Sequence, residues 1–588
     1  MNHKTFLLPA FIIFYMGSCS QPQESRPPNI VLILTDDQGW GDLSISGNTN
    51  LETPNIDRLA EEGVTFDRFY VSPVCSPTRA ELLTGRYHPR GGVYSTSTGG
   101  ERLDADETTI ADIFKKAGYA TAAYGKWHNG MQAPYHPNAR GFDDFYGFCS
   151  GHWGNYFSPM LEHNGTIVKG NGFTVDDFTD HGINFIEINK DRPFFLYLPY
   201  NTPHSPMQVP DKWWNKFENK ELNLTDHVPE REDIPFTRAA LAMCENIDWN
   251  VGRITSKLDE LGLTYNTIII YLSDNGPNGW RWNDGMKGRK ASTDEGGVRV
   301  PFFIKWKDHL PQGLKISRIA GGIDLLPTLA DLAGINLDPP KQLDGISLAK
   351  LMKGEITEEN DRMIFSHWSG RTSVRSQRFR LDADNRLFDM ENDPGQNDED
   401  ASRNYPDILA MMKMAKEEWT KNVLGELPDT DNRPFTIGYP GYIFTQIPAR
   451  DGSGFGNIQR SSRHPNDSFF TNWKSTSDSI VWKVEVLTEG NYEVEIYYTC
   501  PPEDTGSAFE LSFSGEKLTG KVNSAHNPPL KGMENDRVER IESYVKEFKA
   551  LKAGRMHLPQ GEGLMSLKAT EIPGSGVMDV RLIMFKKI

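Results

Sequence analysis

The sequence is poor in cysteine, with five in 588 residues: Cys19, Cys75, Cys149, Cys244 and Cys500. So few, so scattered, cannot make a disulfide framework, and the fold must be held by its core. Beyond the first residues there is no run approaching the roughly 20 apolar residues that span a bilayer. Positive charge is in deficit. Lys and Arg number 63 against 80 Asp and Glu, a net charge of -17. That argues against nucleic acid as a partner, because phosphate binding needs a basic face. It also means that any anion site must gather its cations locally. Internal repeats and low-complexity tracts are absent. What remains, 37 % hydrophobic and 24 % charged residues, is the composition of a soluble globular chain, long enough for two or three domains.

The N-terminus reads as an export signal. Lys4 precedes a mostly apolar stretch, Phe6 to Met16, followed by Gly17-Ser18-Cys19 and then polar residues. This is the pattern of a bacterial lipoprotein signal, residues 1–19, with Cys19 as the lipidation candidate. Met16 is unusual three residues before the cysteine, so an ordinary cleaved signal stays open. Either form places the protein outside the cytoplasm, in the periplasm or on the outer membrane or cell surface of a Gram-negative bacterium. Membrane contact would come only through a lipid anchor.

Four apolar runs end in polar chemistry: NIVLIL (29–34) before Asp36-Asp37, YATAAY (119–124) before Lys126 and His128, PFFLYLPY (193–200) before His204, and TIIIYL (267–272) before Asp274-Asn275. Helical patterns lie between them at 54–62, 109–117 and 237–261. Apolar strands alternating with helices predict an α/β domain over 27–355, a mostly parallel sheet sandwiched by helices. Such sheets bind ligands at the carboxyl ends of their strands. Residues 356–427 read as a small α+β subdomain, 428–456 (rich in Pro, Gly and Asp) as a linker, and 457–588 as an all-β sandwich resembling carbohydrate-binding modules.

The sharpest local signal is Cys75-Ser76-Pro77-Thr78-Arg79. Pro77 suits the first turn of a helix, which would set Cys75 at a helix N-terminus, where free N–H groups favour anions. A buried Cys packed as a small hydrophobe fits these five residues equally well.

Cys-x-Pro-x-Arg is also the signature of the type I sulfatases of the alkaline phosphatase superfamily, and the surroundings resemble that family too. The stretches at 28–39, 53–60, 125–128, 202–204, 273–276 and 290–301 each resemble one of its motifs, in order, so the likeness covers roughly residues 27 to 425. The resemblance implies that a maturation enzyme oxidises Cys75 to formylglycine (3-oxoalanine). It implies one calcium ion held by Asp36, Asp37, Asp274, Asn275 and an oxygen of residue 75, a ligand set that suits a hard cation. Arg79, Lys126, His128, His204 and Lys290 would form the cationic and proton-handling side. Lys290 rather than Lys287 has the family spacing to Glu295.

The implied substrate is a sulfated carbohydrate, polysaccharide or oligosaccharide. His152, Trp153, Trp280, Arg281 and Lys287 are candidates to contact it, although the aromatic residues among them suit packing as well. Arg371, Arg375 and Arg378 would meet acidic sugars or lie on a solvated strand face. Three alternatives stand beside this reading: a phosphonate or phosphodiester hydrolase of the same superfamily, a small-molecule arylsulfatase, or an inactive glycan-binding lipoprotein.

Overall fold

A computed structural model of the chain describes residues 26–355, 361–397 and 400–588. Cys19 and the export-signal reading lie outside these residues. Among the described residues no helix is long and apolar enough to cross a membrane.

Five parallel strands form the middle of a ten-stranded sheet. In spatial order they are Thr267–Ser273, Asn29–Asp36, Phe194–Pro203, Ala120–Lys126 and Asp144–Phe148. Alternation along one strand shows why both faces are covered. Ile30, Leu32 and Leu34 enter one apolar cluster with Phe114, Phe195 and Leu326, whereas Val31 and Ile33 enter another with Ile56, Phe178 and Ile254. Successive side chains of a strand point to opposite faces, so a strand buried on both sides must be apolar throughout. Antiparallel strands extend both edges of the sheet, which makes it mixed there rather than parallel.

The helices begin and end close to their sequence signals. Thr109 and Asp112 make a reciprocal capping box ahead of Ile110–Lys116. Asp233 caps the long helix Ile234–Glu260. Two helices, Thr174–Asn189 and Leu325–Leu332, were not expected. The first buries Val175, Phe178, Phe185 and Ile186 at helical spacing, a signal diluted by the polar residues between them.

Residues 364–389 form a four-stranded antiparallel sheet, and the helix Pro406–Val423 packs Met412 on it. The C-terminal region is a pair of six-stranded sheets around one apolar core that includes Trp482, Tyr492, Ile496, Phe509 and Phe585.

The linker reading of 428–456 is corrected here. Phe435–Ile437 and Ser453–Phe455 pair with the Ser479–Val486 strand of one sheet, and Phe444–Pro448 pairs with the Asp579–Lys587 strand of the other. Its Pro, Gly and Asp residues serve the turns between these short strands.

Candidate active site

The strand ends gather the chemistry. Cys75 opens the helix Cys75–Thr84, every residue of which is buried, and its own exposure is 3 %. Arg79, one turn along, is wholly buried. Its Nε and Nη2 donate to Asp274 Oδ2 at 3.2 and 2.8 Å, and its Nη1 donates to the Lys126 carbonyl at 2.6 Å. The guanidinium thus ties the Cys75–Thr84 helix to two strand ends.

The same helix carries a group that titrates with the fold. Glu81 Oε1 accepts from Ser72 Oγ and the His88 N–H, but burial outweighs both and pushes its carboxyl from 4.5 up to about 8. A raised pKa contributes stability that is complete below pH 4.5 and is lost as pH rises through 8. Melting temperature should therefore fall between pH 4.5 and about 8, and Glu81→Gln should flatten that slope. An unchanged slope would show that Glu81 is ionised throughout.

The carboxylates face the cations directly. Lys126 Nζ donates to Asp36 Oδ2 at 2.6 Å, and Lys290 Nζ lies 2.7 Å from Asp37 Oδ1 and 2.8 Å from Oδ2. Asn275 Nδ2 donates to Asp37 Oδ1 at 2.8 Å, and the Asp37 N–H donates to Asp274 Oδ1 at 3.1 Å. Burial alone would raise the Asp36 carboxyl, but Lys126, His204, Arg79 and Lys290 hold it far below the usual carboxylate range. Burial and the neighbouring Asp36 push Asp274 up to about 7 against the pull of Arg79. Burial also raises the Cys75 thiol.

Two acceptors in this knot are left over. Asp36 Oδ1 and Asn275 Oδ1 are buried and accept no hydrogen bond. Buried oxygens without a partner are rare in proteins. Moreover, one atom each from Asp36, Cys75 and Asp274 lie within 4.8 Å of one another, as do those of Asp36, Asp37 and His204. The donor set fits a hard cation bound through oxygen. The Cys75 sulfur is its one poor ligand, being soft.

Two histidines flank the knot. His128 Nε2 donates to the Thr96 carbonyl at 2.9 Å, which leaves the buried Nδ1 without a partner. Burial, then Lys126, drive its pKa well below 6.5, so the ring is neutral. His204 Nδ1 donates to the Ser205 carbonyl at 2.6 Å, and Nε2 lies 3.7 Å from Asp37 Oδ2. Asp37 and His128 both hold the left-handed backbone, with φ of 69° and 67°. A non-glycine residue held there stores strain that a functional site often exploits.

Comparison with known proteins gives the family. The sulfatase family model matches residues 28–335, more than half of the chain.

The chain belongs to the sulfatase family.

A second model, the C-terminal region of N-sulphoglucosamine sulphohydrolase, matches residues 288–421. The sulfatase is 33 % identical to N-acetylgalactosamine-6-sulfatase of Mus musculus over 384 residues, 59 % of this chain and 70 % of that protein. It is 30 % identical to steryl-sulfatase of Mus musculus, over 58 % of this chain and 68 % of that one. Among solved structures, Ps i-CgsB in complex with k-i-k-neocarrahexaose shares 32 % identity at a TM-score of 0.62, covering 69 % of this chain and 96 % of that one. The protein is thus an enzyme that hydrolyses sulfate esters, and the α/β fold read from its sequence is the fold it has.

The sulfatase places the expected substrate contacts unequally. His152 lies beside the site, its ring centre 5.8 Å from that of His204, and neither of its buried nitrogens has a partner. Trp280 is half-buried, with Arg231 and Arg289 stacked on its ring. Lys287 packs over Phe388 and reaches Asp294 at 3.5 Å.

Two expectations are corrected. Arg281 is buried, bidentate to Asp42 at 2.7 and 2.6 Å and donating to the Asp37 carbonyl at 3.0 Å. It braces the Asp36-Asp37 turn and is held in the interior. Trp153 is buried and stacked on Phe148 with Arg581 over its other side, so it packs one sheet against the other. Of the three arginines further along, Arg375 is also structural, buried on Tyr70 and near Glu295. Arg371 and Arg378 pair with Asp384 and Asp389.

Sequence reasoning missed Asp42, Ser205, Asn466 and Glu542. The last two lie on loops of the C-terminal region. No motif marks them, because only folding brings them to the strand ends.

Proposed function

We propose that this sulfatase removes sulfate ester groups from a sulfated carbohydrate, with residue 75 oxidised to formylglycine and one calcium ion held by Asp36, Asp37, Asp274 and Asn275. The observation that carries the reading is the pair of unpartnered buried oxygens, Asp36 Oδ1 and Asn275 Oδ1, in a knot where Asp36 and Asp274 each bring a carboxylate oxygen within 4.8 Å of the Cys75 sulfur at a helix start. The substrate class is supported by relatives whose names carry a glycan, the N-acetylgalactosamine-6-sulfatase and the structure solved with neocarrahexaose.

When bound, calcium and the oxidised residue together supply an oxygen nucleophile that the unmodified thiol does not. The side chains around them set the charge. Arg79, Lys126 and Lys290 face Asp36, Asp37 and Asp274, a balanced set. A bound divalent cation leaves two positive charges in excess, the local field a sulfate ester needs in an acidic protein. Arg79 and Lys126 are locked by their carboxylate partners, so they need no reorganisation as charge develops on the sulfate oxygens. Neutral His128, with Nδ1 free and Nε2 held by Thr96, is set to take a proton from residue 75. Lys290 and His204 share Asp37, and one of them protonates the departing sugar oxygen.

The test has two parts. Protein from the native host should yield a residue-75 peptide about 18 Da lighter than its cysteine form, or its hydrate, and should release sulfate from galactosamine-6-sulfate or carrageenan oligosaccharides. An intact thiol in an active enzyme would overturn the nucleophile. Calcium at 100 times its Kd stabilises a folded protein by about 2.7 kcal/mol. Chelation should therefore lower the melting temperature by several degrees, reversibly on adding calcium and not on adding magnesium. A melting curve indifferent to chelation would remove calcium from the site.

A further inference from the structure

Loops of the C-terminal sheet domain touch the catalytic centre at two points. Asn466 Nδ2 donates to the Thr96 carbonyl at 2.9 Å, the same oxygen that fixes His128. Gly151 lies between the two side chains. A Cβ there would meet His128 Nε2 at 2.2 Å and Asn466 Nδ2 at 2.7 Å, so only glycine lets them close. The second point is Glu542, whose carboxylate accepts from the Ser205 hydroxyl next to His204. Around these points the contact is firm. Arg450 pairs with Glu101 in the interior, Gln132 donates to the Gln446 carbonyl at 2.9 Å, and Gln208 donates to Asp536 at 2.8 Å. A module tethered only to hold distant substrate would not need to bury polar groups against the catalytic sheet.

His152 gives the independent sign of a ligand. It is 7 % exposed, both ring nitrogens lack a partner, and burial pushes it to the neutral form. A neutral imidazole offers one donor and one acceptor, and leaving both unused in the interior is costly. Glu542 also lines a cleft of about 1060 Å³ with Arg463, Phe469, Leu530 and Tyr544. That is at the upper end of small-ligand sites, about 300–1,000 Å³, and gives room for several sugar rings. Arg463 is exposed and forms no ion pair with any described residue.

We infer that the C-terminal sheets complete the substrate site: His152 and Glu542 read the hydroxyls of the sugar that carries the ester, and the glycan chain continues past Glu542 into the Arg463–Tyr544 cleft. This rests on the carbohydrate reading above. A carboxylate accepts from hydroxyls and repels anions, so the face of the sugar turned to Glu542 carries hydroxyls, and its further sulfates lie towards Arg463. The aromatic rings of Phe469 and Tyr544 give the chain an apolar surface.

The experiment compares kcat/KM for 4-nitrophenyl sulfate with that for carrageenan and chondroitin sulfate oligosaccharides, di- to hexasaccharide. In Glu542→Gln the ratio of glycan to aryl ester should fall about ten-fold or more, chiefly through KM, since a site built to bond a hydroxyl loses much when that bond goes. In Arg463→Ala, a surface change that spares the core, the preference for hexasaccharide over disaccharide should fall towards one. Unchanged ratios in both variants, or parallel loss on aryl ester and glycan, would overturn the inference while leaving the sulfatase intact. A wild-type enzyme that hydrolyses the aryl ester and no glycan would instead remove the carbohydrate reading on which it rests.

Discussion

Cys75→Ala should fold normally and release sulfate about ten-thousand-fold more slowly than the wild type, or not at all. Removing the nucleophile of a covalent mechanism leaves only binding and electrostatic assistance. The side chain is small and sits at the start of a buried helix, so its loss costs about 1 kcal/mol of stability. Sulfate release by ion chromatography, beside a melting curve, separates the two effects. A variant retaining a tenth of wild-type turnover would show that residue 75 is not the attacking group, whatever its oxidation state.

Arg79→Ala should fail in both measurements. Asp274 would lose the guanidinium that donates twice to its Oδ2, in a site where both side chains are wholly buried, and the Lys126 carbonyl would lose its donor. Breaking a buried pair from one side costs about 3–5 kcal/mol, because a charge is left uncompensated. Activity should fall at least about a hundred-fold, the scale of removing one preorganised donor. The double variant Arg79→Ala/Asp274→Asn, which removes the stranded charge, should recover stability and not activity. If it recovers neither, the cost of losing Arg79 lies in packing rather than in charge.

The catalytic half of the chain was legible because its signals are local. NIVLIL and TIIIYL can only be strands buried on both faces, and Thr109 with Asp112 writes a helix start in four residues. The strand-end residues stood out for the same reason: each follows its apolar run directly, so topology alone gathers Asp36, Lys126, His204 and Asp274. Legibility failed where a residue's role depends on a distant partner. Arg281 beside two tryptophans resembles a sugar contact until Asp42, some 240 positions away, claims it. The stretch 428–456 has linker composition, yet the strands it pairs with lie at 479–486 and 579–587. Glu542 and Asn466 carried no signal at all, since nothing in their neighbourhood speaks of sulfate.

The order in which the chain is made gives the last strand a particular weight. Asp579–Lys587 lies inside its sheet, paired with Phe470–Thr471, Gly490–Thr499 and Phe444–Pro448. That sheet therefore cannot close until residues 579–587 have been made. Every strand of the catalytic sheet is already present by Ile316. Residue 75 ends with 3 % of its surface exposed, so any enzyme that acts on this side chain would do so before the fold has closed over it. The catalytic sheet and the C-terminal sheet thus close on different segments of the chain, the first complete by Ile316 and the second needing residues 579–587.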